Sequence, residues 1–155
     1  MDAGAPQGIQ PCAPSQIKRM EAGLLSYRND MDQSNNPFEI GLGKYVDLAQ
    51  DVEYIGKVAL QKIAKAGIKQ RLMGAIVEGD PIGVNEEHWP VLLEGKAIGK
   101  VTSSVYSPML EKNLTYIMVP IEHADTGQTI DIEIPGDGVR SATITDLPFS
   151  TNRAV

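Results

Sequence analysis

Arg19 and Tyr27 are the two side chains whose type and position most directly suggest ligand chemistry. Arg19 is adjacent to Met20 near the start of an amphipathic segment, and Glu21 is too close in sequence to face it across a helix. On pattern alone, Arg19 is either a solvated cation on an exposed face or a fixed guanidinium that binds a planar or carboxylate ligand through two hydrogen bonds. Tyr27 is either a core tyrosine with a satisfied hydroxyl or a ligand contact. The pattern leaves both choices open.

Metal sites are not indicated by the remaining polar residues. Glu86, Glu87 and His88 are adjacent, so in any regular element their side chains point in different directions. His123 and Asp125 supply only two ligands, which do not close a site. We therefore predict no metal site.

Phosphate loops and nucleophilic sites are also not indicated. The run Gly41-Leu42-Gly43-Lys44 lacks the further residues of a Walker loop and of a dinucleotide fingerprint. Cys12 has no neighbouring histidine or cluster of cations that would activate its thiol. We predict no catalytic residue in this chain.

Composition excludes several classes of partner. The net charge is −6, the basic residues are scattered, and only 5% of residues are aromatic, so we predict no nucleic-acid partner. No apolar run approaches the roughly 20 residues that a membrane span needs, so we predict no membrane partner. The chain has a single cysteine, which excludes an internal disulfide and fits a reducing compartment. The predicted location is cytoplasmic.

Two helices are predicted after an extended lead-in over residues 1–14. The first carries an apolar stripe, has Ser15 as its cap, and is broken before Pro37. The second is predicted to begin at Asp51 and to end at Gly67. The first stripe is Ile17, Met20, Leu24 and Leu25, and the second is Val52, Ile55, Val58, Ala59, Leu60 and Ile63.

From residue 69 onward the period of the apolar residues changes to two, which is typical of strands. Turn residues such as Glu94-Gly95 and Pro135-Gly136-Asp137-Gly138 separate the apolar segments. The predicted strands are 71–77, 91–93, 96–105, 114–120, 129–134 and 139–145. Six short strands without intervening helices predict an α+β protein that ends in a small antiparallel barrel or sandwich.

Several motifs of this sequence resemble those of the folate-dependent aminomethyltransferase family, whose best-known member is the glycine cleavage T-protein. They extend over nearly the whole chain and occur in the family's order. The matching residues are Arg19-x-Glu21-x-Gly23-x-x-x-Tyr27-x-x-Asp30, Asn36-Pro37-Phe38-Glu39-x-Gly41-Leu42, Tyr54-Ile55-Gly56-Lys57, Gly95, Val101-Thr102-Ser103, Ser107-Pro108 and Leu147-Pro148-Phe149.

The resemblance implies a three-part organisation. Residues 1–50 would be the end of a central α/β folate-binding domain, residues 51–67 a linking helix, and residues 68–155 a carboxy-terminal, six-stranded antiparallel β-barrel. The family's catalytic aspartate and most of its folate pocket lie in an amino-terminal region that nothing here matches. We therefore expect a carboxy-terminal fragment that does not catalyse the reaction alone.

The resemblance also implies a cofactor and its contacts. Family members bind tetrahydrofolate and accept a one-carbon unit from a small amine or sulfonium donor. The folate-binding residues predicted here are Arg19, Tyr27 and Arg153.

Three functional interpretations remain open. The forms Leu25-Ser26-Tyr27 and Asn36-Pro37-Phe38-Glu39 favour the branch that demethylates dimethylsulfoniopropionate over the glycine-cleavage branch. A barrel used only for protein interaction is the alternative from another class, although such a module has no use for the first motif. A homodimer that buries Ile17, Met20 and Leu24 is also expected if the first helix exposes its apolar face.

Overall fold

The computed structural model describes residues 5–8 and 14–149 of the chain. Two α-helices precede the sheet: α1 over Gln16–Glu21 and α2 over Lys57–Ala66. Single 3-10 turns lie at Ala5–Gln7, Gly43–Tyr45 and Ile121–His123. Arg153 and Cys12 lie outside the described residues.

Six strands close into an antiparallel barrel, as the sequence predicts. They are β1 Gln70–Val77, β2 Trp89–Leu93, β3 Lys96–Ser107, β4 Lys112–Pro120, β5 Thr129–Ile134 and β6 Gly138–Thr145. Their order around the barrel is β1-β4-β3-β2-β5-β6. Every predicted strand is confirmed, and each observed boundary lies within two residues of the predicted one.

The barrel interior is one continuous apolar core. Alternate residues of each strand point inward because side chains of a strand alternate between its two faces. Val91, Val101, Ile117 and Ile132 are fully buried there. This alternation is what makes the strands readable from the sequence.

A second apolar cluster covers the outside of β1, β3 and β4. In β4, Leu114, Tyr116 and Met118 point outward between the inward residues, so this strand is buried on both faces. Met20 of α1 packs against these side chains and is completely buried. The outer cluster therefore attaches α1 to the barrel wall.

The first helix is shorter than its apolar stripe predicts. Ser15 caps it as expected, since its hydroxyl accepts a hydrogen bond from the Lys18 amide at 3.3 Å. The helix ends at Glu21 because Gly23 adopts a φ of +72°, and a Cβ at Gly23 would lie 3.1 Å from Pro148. Pro37 is therefore not the residue that ends the helix.

The second helix starts later than predicted. Its N-cap is Gly56 at a φ of +94°, not Asp51. Lys57 instead organises this start: its buried ammonium donates to the carbonyls of Gln50 and Val52 at 2.7 and 3.2 Å, and it pairs with Glu53 at 3.3 Å. Gly67 ends the helix as predicted.

The predicted exposure of the α1 stripe is wrong for Met20. The barrel of the same chain covers that side chain, and Ile17 is partly buried against the same cluster. Leu24 is 61% exposed, as expected. The homodimer itself stays a prediction, but Met20 is not available to it.

Met20→Ala should lower the free energy of unfolding by about 2 to 5 kcal/mol, because it removes a fully buried side chain and leaves a cavity. The matched control is Leu24→Ala in the same stripe, which should change stability by no more than about 0.5 kcal/mol because Leu24 is mostly exposed. Urea denaturation of both variants tests this. Equal losses would contradict the docking of α1 on the barrel.

Candidate functional site

The Asp30 carboxylate joins the amino-terminal segment to the barrel. It is completely buried and accepts four hydrogen bonds. Oδ1 accepts from the hydroxyls of Thr102 at 2.8 Å and Ser103 at 2.6 Å, and Oδ2 accepts from the Ser26 amide at 2.8 Å and from Arg19 Nη1 at 2.8 Å. Buried carboxylates are stable only when paired and hydrogen-bonded, and this one is both.

A β-bulge in β3 brings both hydroxyls to Asp30. Val101 pairs with Ile117 across the β3–β4 ladder, but the next paired residue, Ser103, already pairs with Tyr116. Thr102 is therefore the extra residue of the bulge. In a regular strand two consecutive side chains would point to opposite faces, whereas the bulge lets both approach one carboxylate.

Arg19 is held by the same network rather than lying free on a helical face. Its Nη1 pairs with Asp30 and donates to the Leu24 carbonyl at 3.0 Å. Nη2 donates to the Ser103 hydroxyl at 2.7 Å, and Nε donates to Gln16 Oε1 at 2.8 Å. The guanidinium therefore binds a carboxylate, as one interpretation of the sequence expects, but that carboxylate belongs to Asp30.

Tyr116 forms the floor beside Arg19. The guanidinium lies 5.7 Å from the centre of the Tyr116 ring, and Phe149 stacks on the same ring at 5.9 Å. The phenol donates to the Met20 carbonyl at 2.9 Å. Burial raises the pKa of Tyr116 well above its usual range, while the nearby Arg19 charge opposes part of that shift.

A second carboxylate, that of Glu21, also joins the amino-terminal segment to β3. The Ser107 hydroxyl, near the end of β3, donates to the buried Glu21 carboxylate, and the Leu110 amide donates to Ser107 Oγ at 3.1 Å. The two acidic residues of the first motif thus bind Thr102, Ser103 and Ser107 of β3. The two motifs form complementary sides of one joint.

The other two predicted folate contacts are placed differently. Tyr27 lies in the turn that Asp30 closes and is 55% exposed. Arg153 is outside the described residues. The structure thus brings Tyr27 into the same segment as Arg19, and the roles of all three residues stay predictions.

A polar recess of about 230 Å³ opens beside the joint, between the 28–35 loop and the barrel. Its lining includes Arg28, Asp30, Asp32, His88, Lys100 and Thr102. Within residues 5–8 and 14–149, no group of three or more His, Cys, Asp or Glu side chains is arranged to hold a metal ion. The helices described in the structure include none that is long and apolar enough to cross a membrane.

Sequence reasoning missed Asp30, Thr102 and Ser103 as members of the Arg19 site. A buried carboxylate and a bulge have no periodic signature, and 72 residues separate Thr102 from Asp30. The signal that was available is the pair of motifs itself, because one supplies acids and a guanidinium and the other supplies hydroxyls.

Comparison with protein families identifies the barrel. Residues 70–150 match the family described as the glycine cleavage T-protein C-terminal barrel domain, and this segment covers more than half of the chain. The chain belongs to the family of glycine cleavage T-protein C-terminal barrel domains.

Curated relatives of this barrel protein extend the similarity to the amino-terminal segment. A dimethylsulfoniopropionate demethylase of Ruegeria pomeroyi is 40% identical over 142 residues, which are 92% of this chain and 38% of the relative. An aminomethyltransferase of Symbiobacterium thermophilum is 34% identical over 151 residues, which are 96% of this chain and 40% of the relative. The chain therefore spans about two fifths of the length of these relatives.

A solved structure confirms the fold of this family member. The glycine cleavage system aminomethyltransferase T of Bartonella henselae superposes with a TM-score of 0.75 at 23% identity, over 85% of this chain and 37% of that one. At this identity the likeness concerns the fold alone. It agrees with the closed antiparallel barrel that the sequence predicts.

Asp30→Asn should lower the free energy of unfolding by about 2 to 4 kcal/mol, because it leaves Arg19 without its charged partner in a largely buried site. The control is Asp32→Asn in the neighbouring turn, where the carboxylate is exposed and the loss should be much smaller. Urea denaturation at neutral pH measures both. A loss for Asp30→Asn no greater than for the control would contradict the role of Asp30 in joining the segments.

Tyr116 should make the protein lose stability at alkaline pH. Because its folded pKa is raised, its contribution to stability is complete below the unfolded value of about 10 and is lost as the pH rises toward the folded pKa. The loss should approach about 1.4 kcal/mol per pH unit above pH 10. Tyr116→Phe should lack this component when unfolding free energies are compared from neutral to alkaline pH. Parallel pH profiles for the two proteins would contradict the prediction.

Proposed function

We propose that this chain is the carboxy-terminal part of a tetrahydrofolate-dependent methyltransferase that demethylates dimethylsulfoniopropionate, and that Arg19 contacts the folate. The observation that carries the proposal is the fixed guanidinium of Arg19, which is bound on three nitrogens beside an aromatic floor. A donor set that is already oriented binds a polar ligand with little ordering cost.

Arg19 and Tyr27 are suited to contact one side of a bound folate. Arg19 offers a cationic donor, and Tyr27 offers an exposed phenol in the same segment, so both match the acceptors and the acidic tail of a folate. Tetrahydrofolate, when bound, supplies the nitrogen that accepts the one-carbon unit. The part of this chain is to bind and orient that molecule, while Arg153 is the third proposed contact.

The choice of donor follows from the relatives. The demethylase of Ruegeria pomeroyi is 40% identical to this chain, and aminomethyltransferases such as those of Symbiobacterium thermophilum and Picosynechococcus are 34 and 37% identical. Glycine-cleavage aminomethyl transfer is the second candidate, because several relatives at 34 to 37% identity are aminomethyltransferases. A small one-carbon donor and tetrahydrofolate are the proposed partners in either case.

The proposed division of labour places catalysis outside this chain. The resemblance puts the catalytic aspartate in a region that nothing here matches. Residues 1–50 then contribute one side of a folate site, residues 51–67 connect them to the barrel, and the barrel over residues 68–155 supports that site. A cytoplasmic location is proposed from the single cysteine and the metabolic family.

Calorimetric titration with tetrahydrofolate tests the folate proposal. This chain should bind with a dissociation constant on the order of micromolar, and Arg19→Ala should weaken binding at least about tenfold because a charge-assisted hydrogen bond is lost. Arg140→Ala is the matched control, since it removes the same charge from β6. Absence of binding by a folded chain, or equal binding by both variants, would refute a folate role for Arg19.

A further inference from the structure

We infer that β3 of the barrel positions Arg19 for its ligand, with Ser103 and Asp30 as the positioning residues; this inference rests on the folate role proposed above. The barrel then contributes to ligand binding by holding Arg19, a side chain of the amino-terminal segment. Nothing in β3 needs to touch the ligand for this to hold.

The guanidinium of Arg19 has most of its N–H donors bound within the chain. Arginine has five N–H donors: one on Nε and two on each terminal nitrogen. Gln16, Leu24, Asp30 and Ser103 accept four of them. Among the residues that the structure describes, only the second N–H of Nη2 has no acceptor.

These acceptors lie in different parts of the chain. Gln16 and Leu24 hold Nε and one side of Nη1 from the amino-terminal segment itself. Ser103 of β3 holds Nη2, whereas Asp30, which holds Nη1, belongs to the amino-terminal segment and is itself bound by the hydroxyls of Thr102 and Ser103, the latter at 2.6 Å. Rotation of the guanidinium would break both of these bonds, so β3 fixes its plane directly through Ser103 and indirectly through Asp30.

The bound N–H groups of Arg19 limit the hydrogen bonds that it can donate to a ligand. A carboxylate usually receives two parallel hydrogen bonds from an arginine. Here Asp30 occupies Nη1 and Ser103 occupies one N–H of Nη2, so a ligand atom can receive one hydrogen bond from Arg19 while the joint stays intact. The group recognised is therefore a single acceptor oxygen or nitrogen, not a carboxylate gripped by the fork that the sequence suggests.

Two serines of β3 offer a matched experiment. Ser103→Ala removes the hydroxyl that binds Arg19, whereas Ser104→Ala removes an equally buried hydroxyl that donates only to the Gly83 carbonyl at 2.8 Å. Both variants are compared with the unmodified chain and with Arg19→Lys. Nitrogen-15 NMR of the arginine side chains reports whether the terminal N–H groups of Arg19 rotate, and Arg19→Lys identifies its signals by their loss.

The expected result has two parts. In the unmodified chain and in Ser104→Ala, the terminal N–H signals of Arg19 should be separate and slow to exchange, and in Ser103→Ala they should merge. Tetrahydrofolate affinity by calorimetry should fall about fivefold to tenfold in Ser103→Ala, since Arg19 must then be ordered on binding, and remain unchanged in Ser104→Ala.

The outcomes separate this inference from the folate proposal. If Arg19→Lys weakens folate binding but Ser103→Ala and Ser104→Ala bind equally, the positioning inference is overturned and the folate contact stands. If the unmodified chain binds no folate, the folate proposal fails. In that case merged Arg19 signals in the unmodified chain would overturn positioning by β3, whereas separate signals that merge only in Ser103→Ala would support it.

Discussion

The buried carboxylate of Asp30 is the group on which the joint between the amino-terminal segment and the barrel depends. A charge without water is costly unless it is paired and fully hydrogen-bonded. Two hydroxyls of β3, one backbone amide and the Arg19 guanidinium meet that requirement here. Because the donors come from both sides of the joint, the carboxylate is stable only while the two sides remain together.

The outer apolar cluster covers one side of this polar joint. Met20, Tyr116 and Phe149 pack together there and shield that side of the network from water. Gly74 of β1 serves the same contact, since a Cβ there would lie 2.8 Å from the Phe149 ring. Packing and hydrogen bonding therefore occur on the same strands. Those that face α1 are buried on both faces, and Thr102, Ser103 and Ser107 of β3 bind Asp30 and Glu21.

The joint differs in character from the linking helix. The α2 helix carries its own apolar face, but Val58 is 60% exposed and the residue before its cap, Ile55, is fully exposed. Its start is organised by Lys57 from within the same segment rather than by the barrel. The barrel with α1 attached is thus the densely packed part of the described chain, and packing of this kind holds a side chain such as Arg19 in one orientation.

The six strands are predictable from local sequence, because period-two alternation and turn residues are local signals, and the ordered motifs indicate the family and its barrel. The sequence also determined that Arg19 and Glu21 belong to one motif. The contacts of these two residues with Ser103 and Ser107 arise only in the folded chain, since those serines lie more than 80 residues away and Ser103 stands at a bulge that has no sequence period. The length of α1 was likewise decided by Gly23 against Pro148, and the burial of Met20 by the barrel wall. Local patterns such as strand alternation can be read from the sequence, whereas the contacts that join the charged residues to the barrel exist only in the folded chain.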